Sequence, residues 1–497
     1  MTTHVELRSG SYHDSVSLMQ ASAQVSAVPS VQAAIVAMAT PLNIELYARL
    51  GFPPEAVASA DPNDLLVAVQ AADDATVSAA LARLEAALTA SGSRSTSAAD
   101  VPRRTTATAL RDGGDVVIVS VPGAHAFVEA MDAVRAGASV FLFSDNVPVE
   151  QEVALKQAAV ERGVLVMGPD CGTAVVGGVG LGFANVLRPG PVGIVAASGT
   201  GAQQVTCLLD AAGVGVSAVL GLGGRDLSEQ VRGRSATTAM QMLDRHPGTE
   251  LIVLLSKPPH PDVAGELREV AAGLSTPTMV SPIGRGQDDL TVITEKVLAT
   301  LGRSPVDGWR EWPAPAPRKP RNGFVRGLFG GGTLCDEAMV IASERLGPVA
   351  SNIPLDPAWA LGPDLRGTGH VMIDFGDDAL TQGRAHPMID PSLRLERIAA
   401  EAADPSCAVL LLDVELGSCS HPDPAGAIAP AVADARATAA AAGRDLAVVV
   451  SLCAAAGDAQ GLERTAEAFV AAGASVHLSN AAAARIAAAL ASGGGAP

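Results

Sequence analysis

The chain has 497 residues, too many for one hydrophobic core, and at roughly 100 to 200 residues per domain it should divide into three or four folding units. Fifty-two acidic residues against 34 basic ones give a net charge of −18, and with two tyrosines and nine phenylalanines there is neither a basic groove nor an aromatic platform for nucleic acid. Apolar residues make up 48% of the chain, yet no run approaches the roughly 18 uninterrupted apolar residues of a membrane span, and the start Met1-Thr2-Thr3-His4-Val5 lacks a basic region and a signal core, so an untargeted cytoplasmic protein is expected.

In chain order, strand-like runs at 5–7, 31–39 and 65–71 alternate with helical patterns at 15–25, 43–51 and 75–88, which predicts a small α+β domain over residues 1–90. Within Tyr12-His13-Asp14-Ser15, Asp14 or Ser15 reads as a helix N-cap in preference to half of a catalytic His–Asp pair. Residues 91–114, rich in Ser, Thr and Gly, read as a linker. A Rossmann-like unit is expected over 113–190, with strands at 116–121, 139–143 and 164–167 and helices at 124–136 and 149–162. Its strands end in Ser144-Asp145-Asn146 and Gly168-Pro169-Asp170-Cys171-Gly172-Thr173, so Asp145, Asn146, Asp170 and Thr173 point to one crevice at the carboxyl edge of a parallel sheet.

A second doubly wound unit, 191–303, opens with a short apolar strand that runs into Ser198-Gly199-Thr200-Gly201 and an amphipathic run at 204–212. Small residues at that turn let a ligand approach the backbone, and the following helix presents unpaired N–H groups, so phosphate or carboxylate is the expected ligand. The next strands, 216–220, 251–255 and 278–280, end in Gly221-Leu222-Gly223-Gly224-Arg225, Ser256-Lys257 and Gly284-Arg285. Four cation- or hydroxyl-bearing turns on one sheet edge favour an anion site. A proline-rich linker at 303–322 leads to a last α/β unit, 322–497, with the turn Gly330-Gly331-Gly332-Thr333, strands at 371–375, 408–412, 446–450 and 475–478, and a polar loop carrying Arg384 and His386.

Six cysteines, at 171, 207, 335, 407, 419 and 453, are scattered without a CxxC pair or a matching histidine spacing, so reduced thiols are expected and no metal site. Cys171 reads as small packing, since nothing near it in sequence would lower its pKa. His260, in a Pro-rich turn, reads as a surface residue.

Taken together, Ser144-Asp-Asn146, Gly168-Pro-Asp-Cys-Gly-Thr173, Phe183-Ala-Asn185, Ala197-Ser-Gly-Thr-Gly201, Gly221-Leu-Gly-Gly-Arg-Asp-Leu227, Ser256-Lys-Pro-Pro259, Gly331-Gly-Thr-Leu334 and Gly383-Arg-Ala-His-Pro-Met-Ile-Asp-Pro391 resemble the FdrA family over nearly the whole chain. That family is similar to succinyl-CoA synthetase, as if an α subunit (113–303) were fused to the ligase domain of a β subunit (322–497). The resemblance implies a CoA-binding-type Rossmann domain and two flavodoxin-like ligase domains, with an anion held between the helix tips at Ser198–Gly201 and at Leu416-Gly417-Ser418-Cys419-Ser420. Against the synthetase pattern, Ile283-Gly-Arg-Gly-Gln287 stands where the phosphohistidine segment would be, and the nucleotide-grasp part and the CoA glycine fingerprint have no counterpart.

The FdrA resemblance further implies a carbamoyltransferase subunit that cleaves a ureido acid such as oxalurate with phosphate, giving oxamate and carbamoyl phosphate in allantoin catabolism. On that expectation Arg225, Lys257 and Arg384 do the charge work and His386 is the general acid–base group or a pin for its loop. Phosphate is held by Ser198, Gly199, Thr200, Gly201, Gly223, Gly224, Asn146, Asp170, Gly417 and Ser418. No certain cofactor is expected; companion subunits and a homo-oligomer are. The alternatives are an acyl-CoA synthetase, with CoA bound near Asp145 and Asp170, and a non-catalytic scaffold or acyl-phosphate-sensing subunit.

Overall fold

The alternating apolar runs near the N-terminus become β1 (Thr2–Arg8), α1 (Ser15–Ser26), β2 (Val31–Met38), α2 (Pro41–Arg49), β3 (Leu65–Ala71) and α3 (Asp74–Gly92). The sheet is antiparallel in the order β1-β3-β2. Its central strand β3 is apolar at five consecutive positions because both faces are covered: Leu65, Val67 and Val69 pack with Leu18, Val25 and Leu84, while Leu66 and Ala68 pack with Tyr47 and Phe52. The computed structural model describes residues 2–11, 13, 15–92, 103, 105–315, 323–381 and 384–491. The expected N-cap at Asp14 and parts of both expected linkers, 93–102, 104 and 316–322, lie outside the described residues. The chain forms two units, one of residues 1–102 with 381–385, the other of 103–380 with 386–497.

The second unit holds three sheets. After the short α4 (Thr106–Ala109), β4 (Val116–Val119), α5 (Gly123–Arg135), β5 (Ser139–Leu142), α6 (Val149–Arg162) and β6 (Val166–Met167) form a three-stranded parallel sheet in chain order. A hairpin of β7 (Thr173–Val176) and β8 (Val179–Gly182) leads into β9 (Pro189–Ala196), α7 (Gly199–Ala211), β10 (Val216–Gly221), α8 (Arg234–Asp244), β11 (Leu251–Ser256), α9 (Pro261–Gly273), β12 (Thr278–Pro282) and α10 (Leu290–Thr300). These strands order as β12-β11-β9-β10-β7-β8. The hairpin therefore belongs to the second sheet, because β7 pairs antiparallel with β10 at Val175 and Val219, and the boundary expected near residue 190 falls before it.

The third sheet contains β13 (Glu311–Trp312), β14 (Phe324–Phe329), α11 (Gly332–Leu346), β15 (Val349–Ala350), β16 (His370–Asp374), α12 (Asp378–Thr381), α13 (Ser392–Ala403), β17 (Cys407–Glu415), α14 (Pro424–Ala441), β18 (Ala447–Cys453), α15 (Leu462–Ala471), β19 (Ser475–His477) and α16 (Asn480–Ala491). Its order is β13-β19-β18-β17-β14-β16-β15. The expected proline-rich linker thus contributes an edge strand, β13, antiparallel to β19. All nine residues of β17 and all seven of β18 are buried, which is why 408–412 and 446–450 read as continuous apolar runs without alternation.

In both large sheets the first parallel strand lies inside the sheet, β9 between β10 and β11 and β14 between β16 and β17, an order of the flavodoxin-like kind. Each sheet therefore reverses direction beside that strand, at β9/β11 and at β14/β17. One apolar core runs through both, from Val192, Ile194 and Val253 by way of Leu334, Ala338 and Val297 to Leu411 and Ala487. Helices α7, α10, α11 and α16 form the layer between the two sheets, and the alanines of α16 allow close packing on α11 and on β17 and β18. The fold is α/β, with two flavodoxin-like sheets beside a smaller parallel one. No helix among the described residues is long and apolar enough to cross a membrane.

Candidate functional site

Ligands of doubly wound sheets collect at the carboxyl ends of strands where the strand order reverses. Here those ends are Ser198 after β9, Lys257 after β11, Gly330–Gly332 after β14 and Leu416–Ser420 after β17. Ser198 caps α7, its Oγ accepting from Gly201 N at 3.1 Å, and it shares a 2.6 Å hydrogen bond with Thr333 Oγ1 in the first turn of α11. A Cβ on Gly331 would come within 2.8 Å of Thr200 Cγ2, so only glycine lets the two helix tips approach this closely. Lys257 reaches from the second sheet to Asp336 of α11. Burial raises the pKa of Asp336, and the Lys257 charge opposes that rise.

The turn that meets Ser198–Gly201 is thus Gly331–Thr333. The expected partner, Leu416–Ser420, rests instead on Ala184 and Asn185: Ser418 N donates to Ala184 O, Asn185 Nδ2 donates to Leu416 O, and Gly417, at φ 111°, has Ala184 O where a side chain would stand. Gln460 pins the same turn, accepting from Gly417 N and donating to Gly417 O. Asn185 also donates to Asp458 and accepts from Gln203 of α7, so a buried polar chain connects the two turns in place of a shared cage. The motif Phe183-Ala-Asn185 was legible in the sequence, but its role as this connector was not.

Between the turns lies His386. Its ring packs on Phe183 with centroids 5.0 Å apart, and Phe183 O accepts from Thr173 Oγ1, which borders Gly199. His386 Nδ1 accepts from Met388 N, which leaves the proton on Nε2. Burial, assisted by the Arg394 charge and opposed by Asp413, pushes its pKa down to about 4. A neutral His386 offers Nε2–H as a hydrogen-bond donor at pH 7, and its Nδ1 and carbonyl oxygen hold the loop through Met388 N, Ile389 N and Asp390 N. Its Nε2, Asp374 Oδ1 and Gly330 O lie 2.8, 3.1 and 2.7 Å from the point a Cβ on Gly376 would occupy.

Asp374 was not singled out from the sequence. It ends β16, is 6% exposed, accepts from Gly376 N, and has its Oδ2 2.6 Å from the Cβ position of Gly332 at the tip of α11. Burial, with Asp413, Asp377 and Asp336 adding and the Gly376 hydrogen bond opposing, pushes its pKa up to about 7. Asp413, at 0% exposure, accepts from Gly330 N, Gly331 N and Arg394 Nη2, and so buttresses the glycine turn from below. The sequence signal for these acids is a single polar residue closing an apolar strand.

The crevice at the ends of β4–β6 brings together Asn146, Asp170, Gly223 and Arg225. Asn146 is exposed at φ 53°, and Gly223, at φ 77°, has Pro169 O 2.1 Å from its Cβ position. Gly224 is exposed. Although Asp170 is an exposed residue, protein crowds its carboxyl, and this, followed by Asp378 and Asp145, pushes its pKa up to about 7. Arg225 donates to Val147 O and pairs with Glu152 at 3.0 Å, so its charge is already matched. Arg384 is exposed, and the segment 381–385 groups with the first unit; Gly383 lies outside the described residues. Cys171 is buried and its thiol is pushed up to about 12, which fits packing and not nucleophilic chemistry. His260 is half-buried at the head of α9.

Two flavodoxin-like sheets joined across a helical layer beside a Rossmann-type sheet define an α/β protein of the succinyl-CoA-synthetase kind. The chain belongs to the FdrA-like family that includes the uncharacterized protein YahF of Escherichia coli (strain K12), to which it is 37% identical over 494 residues, 95% of each chain. Residues 328–490 match the CoA-ligase family model, and residues 1–103 match the model described as AllF, heavy metal-associated domain. The chain is 28% identical over 159 residues to the α subunit 2 of an ADP-forming succinate–CoA ligase of Archaeoglobus fulgidus, and 27% identical over 158 residues to the α subunit of Methanothermobacter thermautotrophicus. Each match takes in 31% of this chain and about half of the ligase subunit, 52% and 51%. A dinucleotide-forming acetyl-coenzyme A synthetase of Ca. Korarchaeum cryptofilum aligns over 76% of this chain and 82% of its own, at 14% identity and a TM-score of 0.27.

These relatives overturn the carbamoyltransferase expectation, and with it allantoin catabolism: the matched catalytic-type domain is a CoA-ligase. Residues 1–103 contain no cysteine, and no three His, Cys, Asp or Glu side chains group to hold a metal among the described residues. This first unit therefore lacks the thiolates that a soft heavy-metal ion needs.

Proposed function

We propose that the chain is the acyl-transfer component of an acid–thiol ligase of the succinyl-CoA-ligase kind, acting on a small carboxylate by way of its acyl phosphate, with the nucleotide handled by a companion polypeptide. The observation that carries this reading is the meeting of α7 and α11 at Ser198 and Thr333, at the reversal points of both ligase-type sheets. Two helix N-termini there favour an oxyanion, each contributing up to about 2 kcal/mol in a partly buried site. Lys257 adds a compact charge beside them, neutral His386 offers an N–H donor, and Asp374, titrating near pH 7, suits proton transfer.

CoA would supply the thiol. Its fit rests on α5 at the ends of β4–β6, whose N-cap Pro122 gives no side-chain hydrogen bond, so no capping side chain competes with a phosphate there, although His125 N is taken by Pro122 O. Asp145 and Asp170 flank that point, where a partly protonated Asp170 repels an anion less than a full carboxylate would.

The test is ligation with ATP, CoA and a panel of small carboxylates, run with the chain alone and with co-encoded proteins, and with thioester and ADP measured. Thioester formation that needs this chain supports the reading; a folded chain that adds nothing to any mixture removes it. Lys257→Ala should lower turnover about tenfold or more while thermal unfolding barely moves, because an ion pair with one side chain 58% exposed contributes only about 0–1 kcal/mol. Circular dichroism alongside turnover checks both halves of that expectation.

A further inference from the structure

Behind the glycine turn that follows β14 lies a cavity of about 10 Å³, lined by Met388, Arg394, Val414, Glu415, His421 and Ile428 among others. Most of the wall is apolar, yet two of its most deeply buried residues carry unmatched polar atoms. Arg394 Nε and Glu415 Oε1 have no hydrogen-bond partner among the described residues, and the two residues are 2% and 3% exposed. Other atoms of the two side chains are engaged. Arg394 Nη2 donates to Leu328 O, Asp413 O and Asp413 Oδ1, while the Glu415 carboxyl hydrogen-bonds Asp413 and has its Oε2 3.5 Å from the Cβ position of Gly330.

A buried N–H donor and a buried carboxyl oxygen left unpaired are both costly, and a ligand that meets both is correspondingly favoured. Size selects the ligand, since a cavity of this volume holds one water molecule, and a buried water needs two to four polar partners. We propose that this cavity is a built water site, and that its water, bridging Arg394 Nε–H and the carboxylic acid of Glu415, fixes Asp413 beneath the Gly330–Gly331 turn. Glu415 is then a positioning residue: it acts on the turn only through Asp413, which accepts from both glycine N–H groups.

The charges facing Glu415 are those of Asp413 on its own strand and Arg394 from α13, with Cys453 from β18 and His421 also near. One cation serves two acids, so one acid keeps its proton. Burial and the Asp413 charge hold the Glu415 carboxyl well above the ordinary range. A group whose pKa is raised on folding gives stability that is complete below its unfolded value and is lost as pH rises. The Glu415→Gln variant, which cannot ionise, should therefore gain in urea midpoint over the wild type as pH is raised from 6 to 9, and should keep its activity at the alkaline end longer.

The test uses the full chain. A high-resolution crystal structure, with a second crystal soaked in bromide, should show one peak within hydrogen-bond distance of Arg394 Nε and Glu415 Oε1 and no anomalous signal there. An anomalous bromide peak would make the cavity an anion site, and a cavity closed by Met388 or His421 would remove the water; either overturns the proposal. The pH series is the second arm. Glu415→Gln should keep at pH 6 the activity that Glu415→Leu loses and should diverge from the wild type as pH rises, and a Glu415→Gln profile parallel to the wild type at every pH overturns the positioning role even if Glu415→Leu fails to fold.

Discussion

Replacing Arg394 with leucine should destabilise the second unit by about 3–5 kcal/mol, the usual cost of removing one partner from a buried ion pair. Arg394 is 2% exposed and Asp413 is fully buried, with Nη2 to Oδ1 at 2.9 Å, so the leucine leaves an uncompensated carboxylate in the core beside a second acid, Glu415. Two carbonyls, Leu328 O and Asp413 O, lose their donor as well. Leucine fills much of the arginine stem, which keeps the loss from being one of packing. Arg394→Lys should recover only part of it, because an ammonium cannot reach these acceptors with the planar fork of a guanidinium. Urea unfolding followed by circular dichroism reads the difference; a midpoint within 0.5 kcal/mol of wild type would mean that Asp413 is held by other means.

Lys156→Met should cost a similar amount, about 3–5 kcal/mol, from a network with no connection to the seam. Lys156 Nζ donates to Glu152 Oε1 and Asp226 Oδ1, each at 2.8 Å, and to Leu222 O at 3.1 Å, with all three side chains at 1% exposure or less. Arg225 pairs with the other oxygen of Glu152, giving two cations against two acids. Asp226 also accepts from Ser235 N and Ala236 N at the start of α8, so the network ties α6 of the Rossmann-type sheet to the second sheet. Methionine matches the lysine in length and removes its charge and its three donated hydrogen bonds, leaving Glu152 with Arg225 alone and Asp226 without a cation. The double variant Lys156→Met, Asp226→Asn should regain most of the loss, and a double variant no more stable than the single one would contradict the electrostatic account.

The sequence made the strands legible because a parallel strand covered on both faces must be apolar throughout, as 251–255 and 408–412 are. It made the turns at Ser198–Gly201 and Gly330–Thr333 legible because a close approach of helix tips admits only small residues. Which turn meets which was not legible: Leu416–Ser420 and Gly331–Thr333 are both small-residue turns after strands, and only the packing of α11 on α7 decides between them. Buried charges were hidden for a related reason. Glu152 and Lys156, four apart on a helix, look like an exposed surface pair until α6 is seen packed on α8. The hairpin β7–β8 was missed because Gly177 and Gly178 break the apolar run into two pieces too short to read as strands. Function followed the family resemblance too far, to carbamoyl transfer.

In the proposed function, the seam between the two large sheets passes an acyl group between thioester and phosphate. That half-reaction needs no nucleotide, so it isolates this chain from any companion. The direct measurement is release of free CoA thiol from succinyl-CoA and other short acyl-CoA thioesters, with and without inorganic phosphate, together with detection of the acyl phosphate. Thiol release should depend on phosphate and should fall in Lys257→Ala and Asp374→Asn. Thiol release that is absent, or unaffected by phosphate, from folded protein across the thioester panel would contradict the proposed function.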